Sequence, residues 1–417
     1  MTPIRPLLIA AILPLAVALA SHGGDLPRAE PAEVGLSAPR LEELKGSLAK
    51  LSDEGQIPGG VALIVRHGKV AFVDAFGLRD IATKAPMRED SIFAIASMTK
   101  PITCVAAMTL VEAGQLGLDD PVAKYLPELA GMRVLGDPKA DTDAGPSTVP
   151  LTRPIRVRDL FAHTAGFAYG GILSADIRLG KAYAAAGVQD RDLKTIAEQV
   201  SRLARVPLAH QPGEGWTYGL SHDVLGRVIE VASGRKLDDY LQEKIFRPLD
   251  MPDTAFSVPE ASRDRMATIY RTGLFGGPLI PLARTYGSET FFSGGGGLYS
   301  TARDYARFAQ MLLDGGELGG VRIIKPESLA AMTSNEIGER NALGLYKYGL
   351  GFGLEMGQGE GGKPELIRYF WAGFFSTNFW VDPRKDVVAV MMTQVLPTNH
   401  GNAQRVLGRG IDRAVEK

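Results

Sequence analysis

Residues 91–101 constrain this chain more than any other segment, because a short apolar run of strand character, 92–96, hands Ser97 to the first turn of a long helix. A hydroxyl at that point stands at the positive end of the helix dipole, and Lys100, one turn on, returns to the same face. A serine so placed is suited to nucleophilic attack, provided a neighbouring group takes its proton. The pattern Ser-x-x-Lys recurs at Ser47 with Lys50 and at Ser233 with Lys236, so context must choose among the three. Ser47 lies inside the amphipathic run 38–51, where a helix uses its amide, and reads as a surface residue. Ser233 precedes Gly234 at the end of the apolar run 224–232 and reads as a helix C-terminal cap. Only Ser97 stands where a strand passes into a helix, with Pro101 near the start and Cys104, Met108 and Val111 carrying the helical pattern to Gly114.

A chain of 417 residues, 45% apolar and 22% charged, has ample material for a large core in one complex domain or two. Its formal net charge of −1 provides no footprint for nucleic acid or acidic lipid. The N-terminus combines Arg5, an apolar stretch over 7–19 broken by Pro14, and the small-residue sequence Ala18-Leu19-Ala20. We read residues 1–20 as an export signal, which would leave the mature protein in a bacterial periplasm or secreted. The stretch is shorter than the roughly 20 residues a bilayer span needs, so no stable membrane span is expected after its removal. Cys104 is the only cysteine, which excludes an intrachain disulfide and accords with that compartment.

Along the mature chain, 60–66 and 69–74 flank His67-Gly68 as a tight antiparallel hairpin. Near the other end, 365–371, 375–381 and 386–394 are short β-rich runs that would complete an antiparallel sheet with helices over one or both faces. Between these ends the pattern is mainly helical: 97–114, 194–204, 221–232 and 237–246, with Thr301 and Asp304 forming a capping box for a helix to about Leu313. Residues 131–156 and 271–286 read as long surface loops.

Five segments, in order, carry a family resemblance: Ser97-Met98-Thr99-Lys100-Pro101; Asp159-Leu160-Phe161-Ala162-His163-Thr164-Ala165-Gly166; Pro212-Gly213-Glu214-Gly215-Trp216-Thr217-Tyr218; Gly295-Gly296-Gly297-Leu298-Tyr299-Ser300-Thr301; and Trp371-Ala372-Gly373. Over 34–410 the chain resembles the serine β-lactamase and penicillin-binding superfamily, most closely the family VIII carboxylesterases and their class C β-lactamase relatives. The resemblance implies an α/β fold of α+β type, with an antiparallel sheet flanked by helices. This sheet domain would be made from 21–110 and 290–417, with a mostly helical domain over 111–289 and the active site at their junction. It makes Ser97 the nucleophile. Tyr218, matched to the tyrosine of the family's Tyr-x-Asn element, would exchange protons with Ser97, the leaving alcohol and water, its phenolate supported by Lys100. Lys100 itself serves as a base only if burial lowers its pKa. The oxyanion would be held by the N–H of Ser97 and of Phe374, just after Trp371-Ala372-Gly373.

Two departures bear on the substrate. Leu220 stands where β-lactamases carry the asparagine that bonds the substrate amide, and Trp371 replaces the lysine of the Lys-Thr-Gly element that receives the substrate carboxylate. Arg271-Thr272-Gly273 is the other candidate for that element, but it precedes the glycine run 294–297 and is read as lying outside any strand. His163 is expected to be a hydrogen-bonded structural residue, and His210 and His222 to border the pocket without taking part in catalysis. No Cys-x-x-Cys or His-Glu-x-x-His spacing points to a metal, no other cofactor is implied, and no Gly-x-Ser-x-Gly elbow occurs. The glycine run lacks a following Gly-Lys-Ser/Thr and reads as close backbone packing. The expectation is a serine hydrolase that cleaves small carboxylic esters. The alternatives are a β-lactamase or D-alanyl-D-alanine carboxypeptidase, and a non-catalytic binding or sensor domain.

Overall fold

The opening hairpin forms because His67 and Gly68 both take left-handed backbone angles, φ 53° and 70°, the geometry that matches the twist of the flanking strands. It joins β1 (Gly59–Arg66) to β2 (Lys69–Asp80), and β3 (Ala85–Pro86) follows at the edge. The remaining strands of the main sheet are β4 (Lys347–Tyr348), β5 (Gly353–Gln358), β6 (Pro364–Ala372), β7 (Asn378–Asp382) and β8 (Val387–Thr393). This computed structural model describes residues 25–142, 145–170, 176–273, 276–396 and 400–416, so the segment read as an export signal lies outside the described residues.

The eight strands run in the order β4-β5-β6-β7-β8-β1-β2-β3, every neighbouring pair antiparallel. The sheet is closed across its middle by the two ends of the chain, where β1 pairs β8 from Gly60 opposite Thr393 to Arg66 opposite Val387. Both faces are covered. On β1, Val61, Leu63 and Val65 enter the main core, while Ala62 and Ile64 enter a second core. An antiparallel strand buried on both sides loses the polar alternation of a half-exposed one, which is why 60–65 reads as an unbroken apolar run.

Seven helices frame the sheet and the site: α1 (Ala38–Asp53), α2 (Thr99–Glu112), α3 (Ile177–Ala186), α4 (Ile196–Leu203), α5 (Ser221–Ser233), α6 (Ala302–Leu313) and α7 (His400–Ala414). Leu41, Leu44 and Leu48 of α1 pack with Leu407 and Ile411 of α7 over one face. On the other face, Tyr305 of α6 meets the Phe379 ring of β7, centroids 4.8 Å apart. Against α5 packs α2, buried nearly all round, as a helix without a polar stripe must be. Lys100 is the one lysine, arginine or carboxylate side chain among the buried residues of α2. Among the described residues no helix is long and apolar enough to cross a membrane.

Two expectations are corrected. Residues 131–156 hold a two-stranded ribbon, Arg133–Leu135 with Thr148–Pro150. Residues 271–286 begin with a hairpin, Tyr270–Gly273 with Gly276–Pro281, so Arg271-Thr272-Gly273 does lie on a strand. That strand also pairs in parallel with Val395–Leu396, a segment remote in sequence, and such support leaves no local signal.

At the start of α6, Thr301 Oγ1 accepts from the Asp304 N–H at 3.1 Å, half of the expected capping box. The Asp304 carboxylate turns elsewhere, accepting from the Asp253 N–H at 2.8 Å and Thr254 Oγ1 at 2.9 Å. Burial pushes this carboxyl up to about 7 from an ordinary 3.8. Between those values the folded state binds the proton more tightly than the unfolded chain, so stability falls as pH rises through the window. Asp304→Asn should remove that slope, whose full extent is on the order of 4 kcal/mol at most. Urea melts of both proteins at about pH 5 and about pH 8 measure it, and parallel responses would show that Asp304 contributes nothing.

Candidate active site

The turn that carries Ser97 is held from three sides. Phe93–Ala94 pairs with Tyr299–Ser300, and the Ile95 N–H donates to Leu298 O at 3.0 Å. Ala96 then adopts φ 43°, a left-handed angle that a residue with a side chain holds only under local constraint. A short 3-10 turn, Ala96–Met98, leads into α2 and leaves the Ser97 amide among the first N–H groups of the helix, which have no partner in a preceding turn. Tyr305 Oη of α6 donates to Met98 O at 2.8 Å and fixes the turn from below.

Lys100 is fully buried and donates three hydrogen bonds, to Ser97 Oγ at 3.1 Å, Tyr169 Oη at 3.0 Å and Gly295 O at 2.6 Å. Three acceptors suit an ammonium with three hydrogens. Burial alone favours the neutral amine, but the phenolic oxygens of Tyr169 and Tyr218 and the Asp223 carboxylate outweigh it and raise the Lys100 pKa. The condition set for Lys100 as a base, a pKa lowered by burial, is therefore not met. Burial pushes Tyr169 up to about 12 against the opposing charge of Lys100.

Tyr218 lies under the ammonium, its ring centroid 4.8 Å from Lys100 Nζ. Rings surround it: His163 at 4.9 Å, Tyr169 and Trp371 each at 5.5 Å, and Trp216 stacked at 6.1 Å. Trp371 is 4% exposed, and its side chain packs among Tyr218, Tyr346 and Tyr348. It stands behind Tyr218 and is not among the residues that line the cavity. Strand alternation on β6 explains this, since Trp371 faces the main core and the half-buried Ala372 faces away.

Gly373 ends the strand where a side chain could not fit, because a Cβ there would overlap Thr377 Oγ1 and the Ile95 carbonyl oxygen. Its N–H donates to Thr377 O at 2.7 Å, and Thr377 Oγ1 donates to Ile95 O at 3.3 Å. The loop that presents Phe374 is thereby tied to the turn that presents Ser97. The glycine run is close packing, as read: a Cβ on Gly295 would overlap the Asp223 carboxylate, and Thr103 Oγ1 of α2 donates to Gly294 O at 2.7 Å.

Ser97, Tyr169 and Tyr218 open onto one cavity of about 520 Å³, with Leu220 and Phe374 on its wall. A larger hollow of about 650 Å³ runs along α1 and β2, but no serine, threonine, cysteine or tyrosine lines it. Among the described residues no cluster of histidine, cysteine and carboxylate groups could hold a metal ion.

Comparison with known proteins places this arrangement. The family model described as Beta-lactamase matches residues 44–409. The chain belongs to the beta-lactamase family. Protein Rv1367c of Mycobacterium tuberculosis is 34% identical over 381 residues, covering 86% of this chain and 90% of its own. Esterase EstB of Burkholderia gladioli is 34% identical over 275 residues, covering 61% and 65% respectively. A solved structure titled "EstCE1, a hydrolase with promiscuous acyltransferase activity" shares the fold at a TM-score of 0.74, with 24% identity over 89% of this chain and 98% of that one.

For a member of the beta-lactamase family, the remaining sequence candidates fall outside the cavity. Arg271-Thr272-Gly273 does not line it. His163 and His222 sit ring to ring at 4.4 Å, both held neutral by burial. Their ring nitrogens find no hydrogen-bond partner among the described residues, which corrects the expectation that His163 is hydrogen-bonded. His210 lies apart, its Nδ1 paired with Gln211 O at 2.9 Å. Sequence reasoning missed Tyr169, the direct partner of Lys100. The available signal was physical: a buried ammonium with one serine nearby still needs acceptors.

Proposed function

We propose that this protein is a serine hydrolase that cleaves small carboxylic esters through an acyl-serine intermediate on Ser97. The observation that carries the reading is the Lys100 ammonium, buried at hydrogen-bond distance from Ser97 Oγ and lying over the Tyr218 ring. Tyr218, beneath that cation, is the group that takes the Ser97 proton as Oγ bonds to the ester carbonyl carbon. The N–H groups of Ser97 and Phe374 receive the oxyanion. When the C–O bond breaks, Tyr218 returns the proton to the leaving alkoxide, then takes one from the water that attacks the acyl group and returns it to Ser97 Oγ. Lys100 keeps its own proton throughout.

The family membership and the similarity to a protein named an esterase support hydrolysis at Ser97. The preference for esters over β-lactams rests on the cavity. Leu220 offers no polar contact for a substrate amide, and among the described residues no lysine or arginine side chain lines the wall to receive a carboxylate. Each unpaired group in a dry pocket costs about 1–3 kcal/mol, so two together lower kcat/KM by roughly 10² to 10⁴. Rates with p-nitrophenyl butyrate and nitrocefin test this, and p-nitrophenyl butyrate should be the better substrate by about 10² or more. A higher kcat/KM for nitrocefin would replace the esterase reading with that of a β-lactamase.

A further inference from the structure

Two large apolar side chains that line the Ser97 cavity stay substantially exposed, Leu343 at 57% and Phe374 at 48%. Phe374 follows Gly373, and its N–H is the one assigned to the oxyanion. Leu343 has no part in that chemistry. A single exposed leucine ordinarily needs no explanation, but the backbone that holds this one sets it apart.

Leu343 opens a tight turn, 343–345, closed by the bridge between Ala342 and Tyr346. The Ala342 N–H donates to Tyr346 O at 2.7 Å and the Leu345 N–H to Ala342 O at 3.0 Å. Below the turn, Ala342 is buried, and the Tyr346 ring packs on Phe370 and Trp371 with centroids 4.9 and 6.1 Å away. Within it Leu343 takes φ 48° and Gly344 φ 74°. That left-handed region suits glycine and asparagine, whereas a leucine there crowds its own Cβ against the following carbonyl. Leu343 therefore strains the backbone and gains little burial from the fold, an arrangement that becomes favourable when an apolar group in the cavity covers it.

We propose that Leu343 is a specificity element that packs against an alkyl chain of the bound ester, making this enzyme selective for esters that carry such a chain. The inference rests on the ester-hydrolase reading and narrows its substrate class. An alkyl chain matches what Leu343 presents, a saturated surface with no donor or acceptor. The chain belongs to either the acyl or the alcohol part of the ester, and two series separate these. The p-nitrophenyl esters from acetate to octanoate lengthen the acyl part, and the acetates from methyl to octyl lengthen the alcohol. Leu345 supplies a control within the same turn, since it is 80% exposed and does not line the cavity.

Initial rates at substrate concentrations below micelle formation provide the test. The unmodified enzyme should favour the longer esters of one series by about tenfold or more in kcat/KM. Leu343→Asn and Leu343→Gly should each reduce that preference by about threefold or more, while the rate with the shortest ester stays within about twofold. Leu343→Asn should melt no lower than the unmodified protein, since asparagine is at ease at this backbone angle. Leu345→Asn should leave the chain-length profile as it was. The proposal is overturned if neither series shows a preference for length, if the Leu343 variants reduce it by less, or if they lose activity on the shortest ester to the same extent. A lower melting temperature for Leu343→Asn overturns it too, by giving the leucine a structural role. So does an equal effect of Leu345→Asn, which would assign the turn to docking on a lipid surface. Absence of turnover with every ester, p-nitrophenyl butyrate included, would instead overturn the hydrolase reading on which it stands.

Discussion

Ser97→Ala is expected to abolish ester turnover, lowering kcat by about 10⁴-fold or more, because the atom that forms the acyl bond is gone. The fold should survive. Removing one hydroxyl leaves little space, and the Lys100 ammonium keeps Tyr169 and Gly295 as acceptors. Stability should therefore change by no more than about 1 kcal/mol. Steady-state rates with p-nitrophenyl butyrate and a thermal melt report the two quantities, and a variant that keeps a few per cent of the original kcat would place the nucleophile elsewhere.

The second large effect belongs to the proton path. Lys100→Ala and Tyr218→Phe should each lower kcat by at least about 10²-fold, the lower end of what positioned acid–base groups contribute. The double variant should be little worse than the poorer single one, since both residues serve one proton path. Lys100→Ala should also destabilise the fold, by about 2–4 kcal/mol, because it opens a cavity in α2 and strands Gly295 O. Tyr169→Phe separates the two tyrosines. It removes a hydrogen bond to Lys100 and leaves Tyr218 in place, so its kcat should fall by only about tenfold. If Tyr169→Phe proves the more damaging and Tyr218→Phe is close to normal, the proton passes through Tyr169.

Much of this was legible in the chain because it is encoded locally. The hairpin at His67-Gly68 announces itself through residues that tolerate left-handed angles, and the sheet strands through β-rich runs. Ser97 was singled out of three similar serines by its place between strand and helix, and the structure brings Ser97, Lys100 and Tyr218 together. What was not legible depends on partners distant in sequence. Tyr169 reaches Lys100 across 69 positions, and no local pattern announces a tyrosine that accepts from a lysine. The charge state of Lys100 is a balance between burial and three acidic or phenolic neighbours, and only burial could be anticipated from an apolar helix. Trp371 was placed in the pocket by its motif, yet its side chain follows the strand's alternation into the core. The Tyr270–Gly273 strand escaped notice because glycine and proline break up its hairpin and its other neighbour lies near the C-terminus.

The central claim is that Ser97 Oγ is the one nucleophile of this chain, activated in a cleft beside a buried ammonium. Treatment with a fluorophosphonate probe, followed by intact-mass analysis and peptide mapping, tests it most directly. The account predicts a single adduct per chain, carried by the peptide that contains Ser97, and no labelling of Ser97→Ala. An adduct on any other residue, or labelling of Ser97→Ala at an undiminished rate, would contradict it.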